Sequence, residues 1–166
     1  MPTIRQYDIA SAMRRIREFQ IEPPIHVEKL AESFGLRVWT FDFPNDISGS
    51  IRKDVTNGGP VGYSILVNAS HPLTRKRFTV GHEIGHYLLH RDKIGDGLED
   101  DALYRSGLST LEEVQANRMA AEILMPYALI DEAIKGGKKT IAELAQLFVV
   151  SKEAMSIRLE VPQVAS

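Results

Sequence analysis

The 166-residue chain reads as an α+β domain, a small, mostly antiparallel three-stranded sheet packed with a helical core and followed by short C-terminal helices. Three observations predict this. Apolar residues recur at spacings of three and four before residue 35 and again beyond residue 72. Between those stretches, three runs rich in β-branched and aromatic residues are separated by turn residues. A hydrophobic content of 43% is enough to build a core in a chain of this length.

Residues 8–20 place Ile9, Met13, Ile16 and Phe19 on one helical stripe, with Asp8 available as a cap and Pro23 and Pro24 as the stop. Val27, Leu30, Ala31 and Phe34 mark a second short helix, closed by Gly35, which suits a left-handed terminal residue. LRVWTFDF (36–43), SGSIRKDV (48–55) and GYSILVN (62–68) read as strands joined by PND and TNGGP turns. The spacing then predicts a long helix over about 73–91, a polar loop over 92–109 and a helix over about 110–124. Short helices follow near 127–135, 140–147 and 151–160. LAESF (30–34) and LAQLF (144–148) look alike, but no fixed period makes them a repeat. The expected organisation is one domain over 1–166: N-terminal helices and sheet (1–72), two long helices (73–126) and a helical tail (127–166).

Lys and Arg total 20 against 22 Asp and Glu, a net charge of −2 without long charge blocks, which argues against nonspecific nucleic-acid coating. The absence of cysteine removes disulfides, thiol nucleophiles, thiolate zinc fingers and iron–sulfur clusters, so any metal needs nitrogen or oxygen ligands. The opening MPTIRQYDIA is not a secretory signal, and no apolar run is long enough to cross a membrane. A cytoplasmic protein without a membrane partner is expected.

Three of the five histidines lie in GHEIGHYLLH (81–90). His82 and His86 are about 40° apart around a helix, so their imidazoles can converge on one ion. Glu83 sits one position round, placed to touch a metal-bound water without being a ligand. Gly81 and Gly85 permit another element to come very close. His90 lies about 12 Å along the axis from His82, too far to share its ion, and is expected to be structural, hydrogen-bonded near the helix end.

Two histidines on zinc need a third protein ligand, leaving a fourth position for water. The following helix offers Glu112, Glu113 and Glu122. Glu113 shares a face with Asn117, Ala120, Ala121 and Leu124, a small-residue strip suited to the glycine-bearing helix. Glu122 points about 180° away and Glu112 about 100° off, so both are expected on the solvated surface. Glu113 is therefore the predicted third ligand, with Asn117 able to hydrogen-bond one of the ligands. Arg75, Lys76 and Arg77 are also expected on the solvated surface. Tyr63 and Tyr104 are the candidates for stabilising an oxyanion, and SGSIRKDV and GYSILVN the candidate edges for a peptide added as a strand.

TIAELAQLFVVSKEAMSIRL has the rhythm of a helix-turn-helix, with Ser151 capping its second helix. Residues 136–166 carry Lys138, Lys139, Lys152 and Arg158 against Glu143, Glu153 and Glu160. That small excess is thin support for gripping phosphates, so the tail is expected to pack or dock a partner rather than bind DNA.

RFTVGHEIGHYLLH (77–90), EVQANRMAAEILMP (113–126) and LAQLFVVSKEAMSIRL (144–159) together resemble the ImmA/IrrE family of bacterial metallopeptidases, which have a gluzincin-like site. The likeness covers most of the chain, including LAESFGLRV before the first strand. It implies that His82, His86 and Glu113 are zinc ligands and Glu83 the catalytic carboxylate. The implied activity is a zinc-dependent endopeptidase acting on a specific regulatory protein, through attack by a zinc-bound water with a Glu general base. The implied target is a helix-turn-helix repressor, often encoded nearby, in stress response or transcription regulation. Mn2+ or Fe2+ also suits such donors. Met119 departs from the Phe more frequent in the family, a conservative core change. The competing readings are a DNA- or protein-binding regulator with a structural metal site, and a toxin–antitoxin component.

Overall fold

The computed structural model describes residues 9–95 and 110–160. The first of these contain α1 (Ile9–Phe19), α2 (Val27–Ser33), β1 (Arg37–Phe41), β2 (Gly49–Lys53), β3 (Tyr63–Asn68) and α3 (Leu73–Leu89), with a single 3-10 turn at Arg91–Lys93. Then come α4 (Thr110–Leu124), α5 (Tyr127–Lys135), α6 (Ile141–Phe148) and α7 (Lys152–Arg158). The α+β class is as predicted. Asp8, most of the expected polar loop and Tyr104 lie outside the described residues.

In α1 the buried positions are Ala12 and Ile16, while Ile9 is exposed, so the expected stripe is turned round the helix by about one position. α2 ends before Gly35, whose φ of +84° is the left-handed conformation that glycine adopts without strain. A side chain there would also meet Val61, its Cβ 2.8 Å from Val61 Cγ1.

The sheet is mixed rather than mostly antiparallel, in the order β1-β3-β2. β1 runs parallel to β3 and β2 antiparallel to it. Residues Ser64–Asn68 are all buried, the pattern of a strand covered on both faces, which places β3 in the middle. Phe41 pairs with Asn68 and Gly49 with Val67, so residues 42–48 pass round one end of β3 to set β2 on its far side. Asn68 holds that crossing: its Nδ2 donates to the carbonyls of Pro44 at 3.1 Å and Ile47 at 2.8 Å. GYSILVN is consequently not an edge, whereas β2, from SGSIRKDV, is one.

α3 lies against β2 and β3 and is buried continuously from Thr79 to Leu88. Its partner is α4. The two backbones approach closely at two glycines: a Cβ on Gly81 would stand 3.2 Å from Ala120 Cα, and one on Gly85 would stand 3.1 Å from both Cα and O of Ala116. The close approach expected from the glycines is present, made through Ala116 and Ala120, residues one turn apart that match the Gly81–Gly85 spacing.

α6 and α7 pack together as a short helical pair, and Ser151 accepts a hydrogen bond from Ala154 N at 3.0 Å, as expected of an N-cap. Arg77 corrects the expectation of a solvated side chain. Instead of pointing to solvent, its guanidinium donates to the carbonyls of Val149 at 3.2 Å and Phe148 at 3.4 Å. It thus caps the end of α6, where Val149 adopts a left-handed φ of 54°. Arg77→Ala leaves those carbonyls without their charged donor and will lower unfolding free energy by about 1–2 kcal/mol, measured by urea denaturation. No change in the midpoint would refute the cap. Among the described residues, no helix is long and apolar enough to cross a membrane.

Candidate metal centre

His82 and His86, one turn apart on α3, turn their Nε2 atoms toward Glu113 on α4. His82 Nε2 lies 3.1 Å from Glu113 Oε2, and His86 Nε2 lies 3.3 Å from Glu113 Oε1. Among the described residues this is the one group of three candidate donors, with ligand atoms all within 4.8 Å of one another. The packing explains the convergence. Gly85 brings α3 onto the backbone of Ala116, and Glu113 lies one turn before Ala116 on the same helix.

The donor set fits a tetrahedral divalent ion. Ligands about 2.0–2.1 Å from such an ion stand roughly 3.3–3.4 Å from one another, and the three donor atoms here all lie within 4.8 Å of one another. His82 Nε2, 3.1 Å from Glu113 Oε2, and Glu113 Oε1, 3.3 Å from His86 Nε2, are buried and take part in no well-directed hydrogen bond. Two lone pairs facing a common point give that arrangement.

The opposite ring nitrogens are held. His82 Nδ1 is 2.7 Å from Asn117 Oδ1, the contact expected of Asn117. His86 Nδ1 is 2.9 Å from His90 Nδ1, and His90 Nε2 is 2.7 Å from Gln115 Oε1. Each of the two histidines therefore has an outer partner that can fix its tautomer. His90 is hydrogen-bonded at the helix end, as expected. Sequence reasoning misses Gln115, because nothing in the sequence distinguishes it from any other helical glutamine. Its importance arises from the register of α4 on α3.

The electrostatics point the same way. The two imidazoles beside Glu113 hold its carboxyl well below the usual carboxylate range, outweighing the opposing effect of burial. For His82, burial alone would lower the pKa. The neighbouring Glu113 carboxylate, helped by Glu83 and Asn117, overrides it and raises the pKa above the ordinary imidazole value. The site thus concentrates negative charge where a cation would sit. Glu83 itself is fully buried, with its charge felt at His82.

The neighbouring acids differ from expectation. Glu112 is buried rather than solvated, with Lys93 Nζ 2.8 Å from its Oε1. Glu122 is half-buried and takes Arg158 Nη1 at 3.4 Å. Both are recruited because α4 is covered by other elements on the sides that helical arithmetic leaves facing water. Tyr63 packs edge-on against the Tyr87 ring, centroids 5.2 Å apart.

Comparison with known proteins agrees with this geometry. The model of the family Peptidase_M78, described as IrrE N-terminal-like domain, matches residues 31–160. The chain is 40% identical over 85 residues to the radiation response metalloprotease IrrE of Deinococcus radiodurans, a match covering 50% of this chain and 25% of that protein. It is 38% identical over 90 residues to the protein of the same name from Deinococcus deserti, covering 53% of this chain and 31% of that one. The matched stretch therefore spans about a quarter to a third of those relatives. A Mycobacterium tuberculosis transcriptional regulator shares the fold, with a TM-score of 0.62 and 19% identity, over 93% of this chain and 47% of that one.

Proposed function

We propose that this chain, which belongs to the IrrE N-terminal-like domain family, is a zinc-dependent endopeptidase that cleaves a specific regulatory protein. The observation that carries this reading is the convergence of His82, His86 and Glu113, with the buried Glu83 carboxylate next in sequence to a ligand. Two imidazoles and one carboxylate are the donor set of catalytic zinc sites that keep a position open. A divalent ion held there supplies Lewis-acid polarisation and lowers the pKa of water towards ~7.

The chain's residues do the remainder. Glu83 accepts the proton of the attacking water and passes it to the departing amine nitrogen. Asn117 orients the His82 ring. The Gly–Ala contacts between α3 and α4 keep Glu113 in place.

A protein target is supported by a groove of about 770 Å3 between the start of α3, α4 and α7. Phe78, Val114, Ala121 and Ile157 line it with apolar surface, and it reaches Asn117, the residue that holds His82. The tail is poorly equipped for DNA. Arg158, one of its few cations, is buried over the Tyr127 ring and donates to Met125 O at 2.9 Å. The proposed target is a helix-turn-helix repressor encoded nearby, supported by the family resemblance.

The test is metal analysis beside cleavage. Wild type should carry stoichiometric zinc and cut the repressor at a defined bond, whereas His82→Ala and Glu113→Ala should lose most of the metal. Full zinc occupancy in Glu113→Ala would refute the ligand set. A repressor left intact by the zinc-loaded wild type would refute the target.

A further inference from the structure

The geometry points to His90 and Gln115 as positioning residues that together select the tautomer of His86 and so decide whether it can hold a metal. The inference rests on the ligand set proposed above. His86 faces Glu113 with Nε2. That nitrogen can ligate only when it carries no proton, so the single proton of the neutral ring must reside on Nδ1. His86 Nδ1 is 2.9 Å from His90 Nδ1. Two nitrogens in hydrogen-bond contact share one proton, so His86 donates and His90 accepts. The His90 proton is then on Nε2, which donates across 2.7 Å to Gln115 Oε1. Every bond in this array has one donor and one acceptor.

A second array satisfies the same heavy-atom positions. If the Gln115 amide turns over, its NH2 donates to His90 Nε2, and His90 Nδ1–H donates to His86 Nδ1. His86 then carries its proton on Nε2, directed at Glu113 Oε1, 3.3 Å away. That array leaves the Nε2 proton on a poorly directed contact with Glu113 Oε1 and closes His86 to metal. The two arrays differ by one amide rotation and two tautomer shifts, with no change in net charge. His90 transmits the choice because an imidazole can accept at one nitrogen while donating at the other. Burial keeps water from the His86–His90 contact, the two residues being 1% and 6% exposed, while Gln115 at the end of the chain is half-buried. Asn117 performs the one-step version for His82, whereas the His86 arm runs through two bonds to reach α4.

The experiment compares zinc dissociation constants, by chelator competition, for wild type, Gln115→Met, Gln115→Glu and His90→Phe. Gln115→Met removes the terminal acceptor and His90→Phe the relay, and each should weaken zinc binding about 10–100-fold. Gln115→Glu can only accept, so it should hold zinc at least as tightly as wild type. Imidazole 15N NMR of the zinc-loaded wild type should show the proton on Nδ1 of His86 and on Nε2 of His90. This readout is one that a merely structural role for His90 would not fix, and it separates the tautomer effect from the added charge of Gln115→Glu. Thermal melts check folding, and if His90→Phe does not fold, the two Gln115 variants and the NMR decide.

A zinc affinity within twofold of wild type in folded Gln115→Met, or a His90 proton on Nδ1 in the zinc-loaded protein, would overturn the inference. Failure of the underlying site reading has a different signature, in which His82→Ala and Glu113→Ala bind zinc as wild type does.

Discussion

Glu83→Gln will keep its zinc and lose peptide-bond cleavage by about 10²–10⁴-fold, the contribution typical of a positioned general acid–base group. The amide has the shape of the carboxylate and fits the same buried pocket, yet it cannot accept the proton of the attacking water. Glu83 is absent from the converging donors, which are His82, His86 and Glu113, so metal content should not change. The side chain is fully buried in the middle of α3, and a neutral amide of the same size costs less to bury than a carboxylate, so the variant should fold. Metal analysis, a thermal melt and a cleavage time course on one preparation test all three points. Cleavage at the wild-type rate would remove Glu83 from the chemistry, and loss of zinc would make it a ligand instead.

Gly85→Ala will destabilise the protein by about 1–3 kcal/mol and weaken its hold on zinc. The new Cβ would stand 3.1 Å from Cα and O of Ala116 and from Cβ of Met119, so α4 must back away by a few tenths of an ångström. Glu113 is one turn from Ala116 on that helix and moves with it. Because the opposing atoms at Ala116 are backbone, Ala116→Gly will not restore stability in the Gly85→Ala background. Gly81→Ala provides the contrast. Its Cβ would meet Cα and Cβ of Ala120 at 3.2 Å, so Ala120→Gly removes one of the two contacts and should recover part of the loss. Urea denaturation of the two double mutants checks the difference. Equal rescue at both positions would contradict the backbone contact at Gly85.

Much of the site is legible in the sequence. HExxH places two imidazoles on one helical face, and the face arithmetic separates Glu113 from Glu112 and Glu122. The structure brings Glu113 to both histidines and Asn117 to His82. The same arithmetic misjudges Glu112 and Glu122, as the expectation of a solvated surface misjudges Arg77. Such reasoning describes a helix surrounded by water on every side not facing one partner. In the folded chain Lys93, Arg158 and the α6 carbonyls occupy those sides. Gln115 is invisible for a related reason, since its contact with His90 spans two helices and leaves no local pattern.

The strands show the same division. Their positions follow from β-branched and aromatic runs, but the order β1-β3-β2 does not. The antiparallel pairing of β2 with β3 is expected from strands joined by turn residues, whereas the parallel pairing of β1 with β3 depends on a loop passing round the sheet end under the hold of Asn68. What the sequence determined by itself was the set of helices and strands, the Ser151 cap, and the residues able to bind metal, because period, local capping and donor chemistry act within a few residues. What the tertiary structure decided was strand order, the register of α4 on α3 and the outer hydrogen bonds of the histidines. Those depend on backbones meeting across long stretches of chain, with Gly81 and Gly85 setting how closely they meet.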